Sequence, residues 1–162
     1  MMAVSGRRLF LALATLIFTL DQITKAAATA WLAPRDAVTL IPGFLDLAYV
    51  RNPGAVFGLF RTLVDPWRSL ILTLVPLLAL ALVIAMALRT PPTRLRVQGA
   101  LGLILGGALG NLLDRLRLGI VVDFIGVHVG RYHWPNFNAA DSAICIGVGL
   151  LVLDMWRSTG ES

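Results

Sequence analysis

Between Ser69 and Leu88 the chain runs for twenty residues without a single charge. At a helical rise of about 1.5 Å per residue, such a run is about 30 Å long, the thickness of a bilayer's hydrocarbon core. A backbone in lipid must satisfy its own hydrogen bonds, so this segment reads as a transmembrane helix. Pro76 inside it is tolerated, as prolines are in other membrane helices.

The rest of the chain has to suit the same solvent. Hydrophobic residues make up 57% of the 162 and charged residues 14%, with a mean hydropathy of +0.80. Soluble domains hold about 45–50% apolar and about 25% charged residues. A chain this long has room for one domain, not for a membrane part plus a large soluble enzyme. The pattern predicts spans at 9–30, 69–88, 97–113 and 139–156. The expected fold is therefore an all-α polytopic membrane protein, one domain over 1–162, with four transmembrane helices and long loops at 31–68 and 114–138. In the first loop, Ala37–Ile41 and Leu45–Val50 are β-prone runs split by Pro42-Gly43. They predict a small β-containing subdomain at the lipid interface, with Phe44, Phe57 and Phe60 against something apolar.

Arg7-Arg8, the apolar run Leu9–Leu20 and Ala28-Thr29-Ala30 also fit a cleavable leader. Asp21 and Lys25 interrupt that pattern. Four residues apart, they share a helix face and can pair, as in a retained helix whose outer end carries a functional face. In the third span Gly102, Gly106 and Gly110 form a smooth stripe, expected to serve helix packing.

The net charge of +5 contains no basic run of the kind that tracks a nucleic-acid backbone. Arg7, Arg8, Arg89, Arg94, Arg96 and Arg157 are concentrated in short segments. The positive-inside rule then places both termini in the cytoplasm and both long loops on the periplasmic side. Asp21, Lys25, Asn52, Asn111, Asp114, Asp123 and Asp141 fall at that outer level together.

Ion pairing accounts for part of the cluster: Asp21 with Lys25, and Asp114 with Arg115 or Arg117. Asp123 and Asp141 resist that account. Asp123 lies in the apolar run Val121–Ile125, Asp141 in the first turn of the last helix behind a cap at Asn138, and neither has a basic residue within four positions. Brought together, two such acids hold one shared proton, because like charges a few ångströms apart do not both ionise cheaply. The ionised member draws a proton from water that attacks a peptide carbonyl, and the protonated member assists the carbonyl oxygen and the leaving amine. A helix N-terminus favours negative charge, which marks Asp141 as the more readily ionised. Ser142 has no evident base, and Cys145, the sole cysteine, reads as a small buried hydrophobe. His128 and His133 with Asp123 match no familiar zinc spacing, and CxxC, HExxH and Walker motifs are absent. A proton-conducting transporter would place its acids at several depths or near the midplane. Apart from Asp154 the membrane-adjacent acids here lie at the outer end, which suits surface chemistry better. A non-catalytic assembly factor joined through the glycine stripe is a third reading.

Four segments carry a resemblance: Asp21-Gln22-Ile23-Thr24-Lys25; Tyr49–Gly58 with Asn52-Pro53-Gly54; Gly106–Arg115 with Asn111 and Asp114-Arg115, continuing to Val121-Val122-Asp123-Phe124; and Phe137-Asn138-Ala139-Ala140-Asp141-Ser142. In this order, over Asp21 to about Gly147, they resemble the boxes of lipoprotein signal peptidase (signal peptidase II), a bacterial family of membrane aspartyl peptidases. The resemblance implies catalysis by Asp123 and Asp141, with Asn52, Gly54, Asn111, Arg115 and Asn138 lining the site. It implies that Asp114 braces this shell and that Asp21 and Lys25 support the first helix. The implied substrate is a prolipoprotein already diacylglyceryl-modified on a cysteine and cut just before it. The implied inhibitor is the cyclic peptide globomycin; no metal or organic cofactor is needed. The implied setting is the bacterial inner membrane, as a monomer among lipids with its active site at the periplasmic face. Within 31–68 the loop is expected to cover the pocket partly, with Phe57 or Phe60 touching acyl chains or signal peptide. Two positions depart from the family: Val56, where alanine is usual, and Gly126, where an acidic or bulkier residue is common. The second predicts a more pliable loop.

Overall fold

The structure, a computed structural model, describes residues 5–54 and 67–159. In chain order the elements are α1 (Gly6–Leu32), β1 (Val38–Ile41), β2 (Leu45–Asn52), α2 (Trp67–Arg89), α3 (Leu95–Leu118), β3 (Val121–Val129), β4 (Tyr132–His133) and α4 (Ala139–Thr159). Each of the four helices is long and apolar enough to cross a membrane. Val56, the departure from the family pattern, and Phe57 and Phe60, expected to touch acyl chains or signal peptide, lie outside the described residues.

The third helix is the hub, because glycine lets two neighbours reach its backbone. A Cβ at Gly106 would stand 2.5 Å from the Ala14 carbonyl oxygen of α1, and one at Gly107 2.5 Å from the Ala140 carbonyl oxygen of α4. Backbones this close forbid any side chain between them, and the dispersion attraction across so short a gap holds helices together where lipid offers no hydrophobic drive. The glycine stripe is thus a packing surface, as its spacing suggests. Phe10, Ala14, Leu101, Leu105 and the α2 residues Leu80 and Val83 fill the remaining core. On its other side α2 exposes Leu70, Leu74, Leu78 and Leu82, an apolar stripe suited to lipid.

α3 continues past Leu113 to Leu118, where Gly119 ends it in the left-handed conformation (φ 69°) and donates its N–H to Arg115 O at 3.0 Å. Asp114 does not break the helix, because its carboxylate is satisfied inside the bundle.

One end of the bundle holds the start of α1, the α2–α3 turn and the end of α4. There Gly6 N donates to Pro92 O at 2.9 Å, and Arg94 pairs with Asp154 at 2.6 Å. Gln98, fully buried, donates to the carbonyl oxygens of Ala87 and Thr90 at 2.9 and 3.0 Å, occupying acceptors that the end of α2 leaves open.

The opposite end carries the sheet, antiparallel and ordered β1-β2-β3-β4. Its central pairing joins the two long loops: Val50 faces Asp123 and Asn52 faces Val121. The Val121–Ile125 run is therefore a strand, and its partner is about seventy residues away in sequence.

Candidate active site

Asn138 and Asp141 cap α4 reciprocally. The Asp141 N–H donates to Asn138 Oδ1 at 3.0 Å, and the Asn138 N–H donates to Asp141 Oδ2 at 3.2 Å. Two otherwise orphaned donors are satisfied, and the Asp141 carboxylate is fixed over the positive end of the helix. The Asn138 side chain, 0% exposed, then reaches back to β3: its Nδ2 donates to Asp123 Oδ1 at 2.8 Å and to Val122 O at 3.2 Å. One asparagine thus holds both acids.

Two further amides complete the frame. Asn52 Nδ2 donates to Asp123 Oδ2 at 2.9 Å, while its Oδ1 accepts the Gly54 N–H at 3.0 Å across the turn after β2. Asn111 Nδ2, on α3, donates to Asp141 Oδ1 at 2.8 Å. Asp123 is 2% exposed, and burial is the largest influence on its proton. Desolvation, reinforced by the Asp141 charge and only partly offset by the Asn52 and Asn138 hydrogen bonds, pushes its pKa up to about 6.

Behind this frame lies a buried charge network. The Lys25 ammonium has three protons and three acceptors: Asp21 Oδ2 at 2.8 Å, Asp114 Oδ2 at 3.0 Å and Asn111 Oδ1 at 2.8 Å. Asp114 Oδ2 also accepts the Val122 N–H at 3.1 Å, and Asp21 Oδ1 accepts the Ala140 N–H at 3.0 Å. Buried charges survive only when paired and hydrogen-bonded in this way. The network links α1, α3, β3 and α4 immediately beside the two acids.

A cavity of about 720 Å³ opens over the pair, lined by Asn52, Arg115, Asp123 and Asp141 together with apolar side chains such as Val50 and Ile144. Arg115 Nη1 donates to Asn111 O at 3.3 Å, and its buried Nε has no hydrogen-bond partner among the described residues.

The structure brings together every site residue read from the sequence, and corrects several expectations around them. Asp114 pairs with Lys25, not with Arg115 or Arg117, because α3 directs it at α1. Cys145 is exposed rather than buried: one turn along α4 from Asp141, it lines the cavity. Gly126 is not in a loose loop but inside β3 opposite Asp46, and the Asn136 amide lies over it, 3.1 Å from where a Cβ would stand. His128 approaches Asp46 at 3.3 Å and stacks on His133, its partner across the β3–β4 pair. Ser142 donates its hydroxyl to Asn138 O at 3.0 Å. Gln22 escapes a reading by sequence. Its Nε2 touches Asp21 Oδ2, Gly110 O and Asp114 Oδ1 at 3.2–3.3 Å, and its one signal is an amide beside charges at membrane depth. The Trp134–Phe137 wall of the cavity escapes it too, since nothing in its composition points inward.

The family model for signal peptidase (SPase) II matches residues 13–157. The chain belongs to the signal peptidase II family. It is 45% identical over 155 residues to the lipoprotein signal peptidase of Syntrophus aciditrophicus, covering 94% of this chain and 95% of the relative. It is 43% identical over 150 residues to that of Syntrophotalea carbinolica, covering 93% and 92%. A solved bacterial membrane enzyme, determined by the in meso method at 2.3 Å, superposes with a TM-score of 0.81 at 30% identity, covering 94% of this chain and 90% of the other. As a signal peptidase II, the chain is a membrane protease, and the matched segment runs from α1 through α4, so all four helices belong to the family fold.

Proposed function

We propose that this signal peptidase II removes the signal peptide from diacylglyceryl-modified prolipoproteins, cutting just before the lipid-modified cysteine with Asp123 and Asp141 as the catalytic pair. The observation that carries this reading is the bridging of both carboxylates by Asn138 at the floor of an apolar-walled cavity. Asp123, buried and pushed up to about 6, holds the shared proton. Asp141, capped on the N-terminus of α4, is the carboxylate. It takes one proton from a water, whose oxygen attacks the scissile carbonyl, while Asp123 donates its hydrogen bond to the developing oxyanion. Collapse of the tetrahedral intermediate breaks the C–N bond, and the proton taken from water passes to the leaving amine of the cysteine. One water is consumed, and the pair ends with one shared proton.

Arg115 and Asn52 face the same cavity and offer N–H donors to a peptide backbone. The positive-inside arrangement of Arg7, Arg8, Arg89, Arg94 and Arg96 supports cytoplasmic termini and a periplasmic site in the bacterial inner membrane. A monomer suffices, since all the groups named come from one chain. A globomycin-type cyclic peptide competes for the same cavity.

The test is cleavage of a lipidated prolipoprotein by purified wild type and by separate Asp123→Asn and Asp141→Asn variants. Loss of about 10³-fold or more in kcat is expected for each folded variant. Near wild-type rates in both would refute the pair. Reporter fusions should place 31–68 outside and 89–96 inside, and the reverse result would remove the periplasmic placement.

A further inference from the structure

The segment after β4 borders the cavity, and at Asn136 its backbone edge is unpaired among the described residues. Phe137 and Ile125 exchange backbone hydrogen bonds at 3.1 and 2.9 Å, and Phe124 N also donates to Phe137 O at 3.1 Å. Trp134 N donates to Val127 O at 2.8 Å. Between the pairs His133–His128 and Phe137–Ile125, three residues, Trp134, Pro135 and Asn136, face two, Gly126 and Val127. The edge is therefore bulged, and bulges next to active sites bend a strand and re-aim its groups. Proline is tolerated here because an edge residue has one side free of ladder bonds.

Backbone groups alternate along an extended chain. Phe137 directs both its N–H and its C=O at β3, whereas the N–H and C=O of Asn136, inside the bulge, make no bond to that strand. Among the described residues neither has a partner. The Asn136 side chain is not free to cover them, because its amide is seated over Gly126. Asn136, Phe137, Asp123 and Asp141 line one cavity.

We propose that the stretch of prolipoprotein preceding its modified cysteine adds to this edge as an antiparallel or parallel strand, hydrogen-bonded to the backbone N–H and C=O of Asn136, and is thereby held over the Asp123–Asp141 pair. The proposal rests on the proteolytic reading above. A scissile carbonyl inside a helix is engaged by its own ladder, so the substrate must be extended where it is cut. Unpaired edges are ready templates for such chains, with the affinity coming from main-chain bonds. Gly126 is then a positioning residue: lacking a side chain, it lets the Asn136 amide fold away from the edge.

The experiment is an N-methyl scan. Synthetic lipidated substrates, each with one backbone N-methyl group at successive positions before the cysteine, are cleaved by the intact enzyme in detergent. Strand addition at Asn136 predicts one sensitive position: kcat/KM falls at least about tenfold where the methylated N–H is the one donated to the Asn136 C=O, chiefly through KM, and changes within about threefold at the residues on either side. A flat profile, or equal losses at adjacent positions, would overturn the proposal while the unmodified substrate is still cut. Failure to cut the unmodified substrate would instead overturn the proteolytic reading itself. On the enzyme side, Asn136→Pro removes the N–H that Asn136→Ala keeps. The proline variant should show a KM about tenfold above the alanine variant, and equal values would count against the edge. The methylated series leaves the enzyme untouched, so it reads the same bond independently of folding.

Discussion

Lys25 Nζ donates to Asn111 Oδ1 at 2.8 Å, so the ammonium of α1 holds the amide that in turn donates to Asp141. Lys25 is 3% exposed and Asp21 0%. Replacing Lys25 with Met would leave Asp21 and Asp114 buried without their cation, a change that costs about 3–5 kcal/mol in buried ion networks. Thermal unfolding in detergent should show a correspondingly lower midpoint. Adding Asp21→Asn and Asp114→Asn to that variant should recover part of the loss, because the uncompensated charges are removed.

Asp123 makes the protein pH-sensitive in a definite direction. Its pKa rises from 3.8 to about 6 on folding, so between those values the folded state binds the proton that the unfolded state has released. Stability from this group is intact below about pH 4 and declines as pH rises, with about 3 kcal/mol lost above about pH 6. The Asp123→Asn variant cannot titrate, and its stability against pH should lack this part of the slope. In the wild type the protonated Asp123, the acid of the proposed mechanism, disappears as pH rises through about 6. kcat/KM should fall about tenfold per unit above about pH 6, with the apparent value belonging to the pair.

Asn138 combines a helix cap with the hydrogen bond to Asp123. Asn138→Ala should cost about 1 kcal/mol or more in stability, the usual worth of a cap. Its effect on kcat should be much larger than that loss explains, since both acids lose their common partner. Asn138→Asp keeps the capping oxygen but adds a charge between two carboxylates, and should restore stability more than rate. Parallel melting and turnover measurements separate the two.

Gly110 supports the network through its lack of a side chain. A Cβ there would fall on Asp21 Oδ2 and lie 3.0 Å from Asp21 Cγ. Gly110→Ala should destabilise by about 1–3 kcal/mol through overpacking, despite alanine's better helix propensity. Gly149, with nothing within 4 Å of its would-be Cβ, should accept the same change without loss. Comparing the two unfolding midpoints checks the assignment.

Much of this is legible in the sequence because membranes impose simple rules. Ser69–Leu88 has no alternative to spanning, and the Asn138–Asp141 spacing announces a cap that the structure reproduces bond for bond. Phe137–Ser142 and the other motifs point to residues that the structure gathers around one cavity. Relations between segments far apart in sequence are not legible. Local spacing matches Asp114 with the arginines beside it, whereas its cation comes from α1. Apolar neighbours make Cys145 look like core, although its position one turn from Asp141 puts it on the cavity face.

Sequence alone determined the solvent, the four helices and the supply of polar groups, because hydropathy and helix rise are local properties. Only the tertiary structure decided which groups meet. The glycine face of α3 sets α1 and α4 close enough for Lys25 to reach Asn111, and the β2–β3 register carries Asn52 to Asp123. Two aspartates on different elements become a pair because one buried asparagine, satisfied on every side, holds them both.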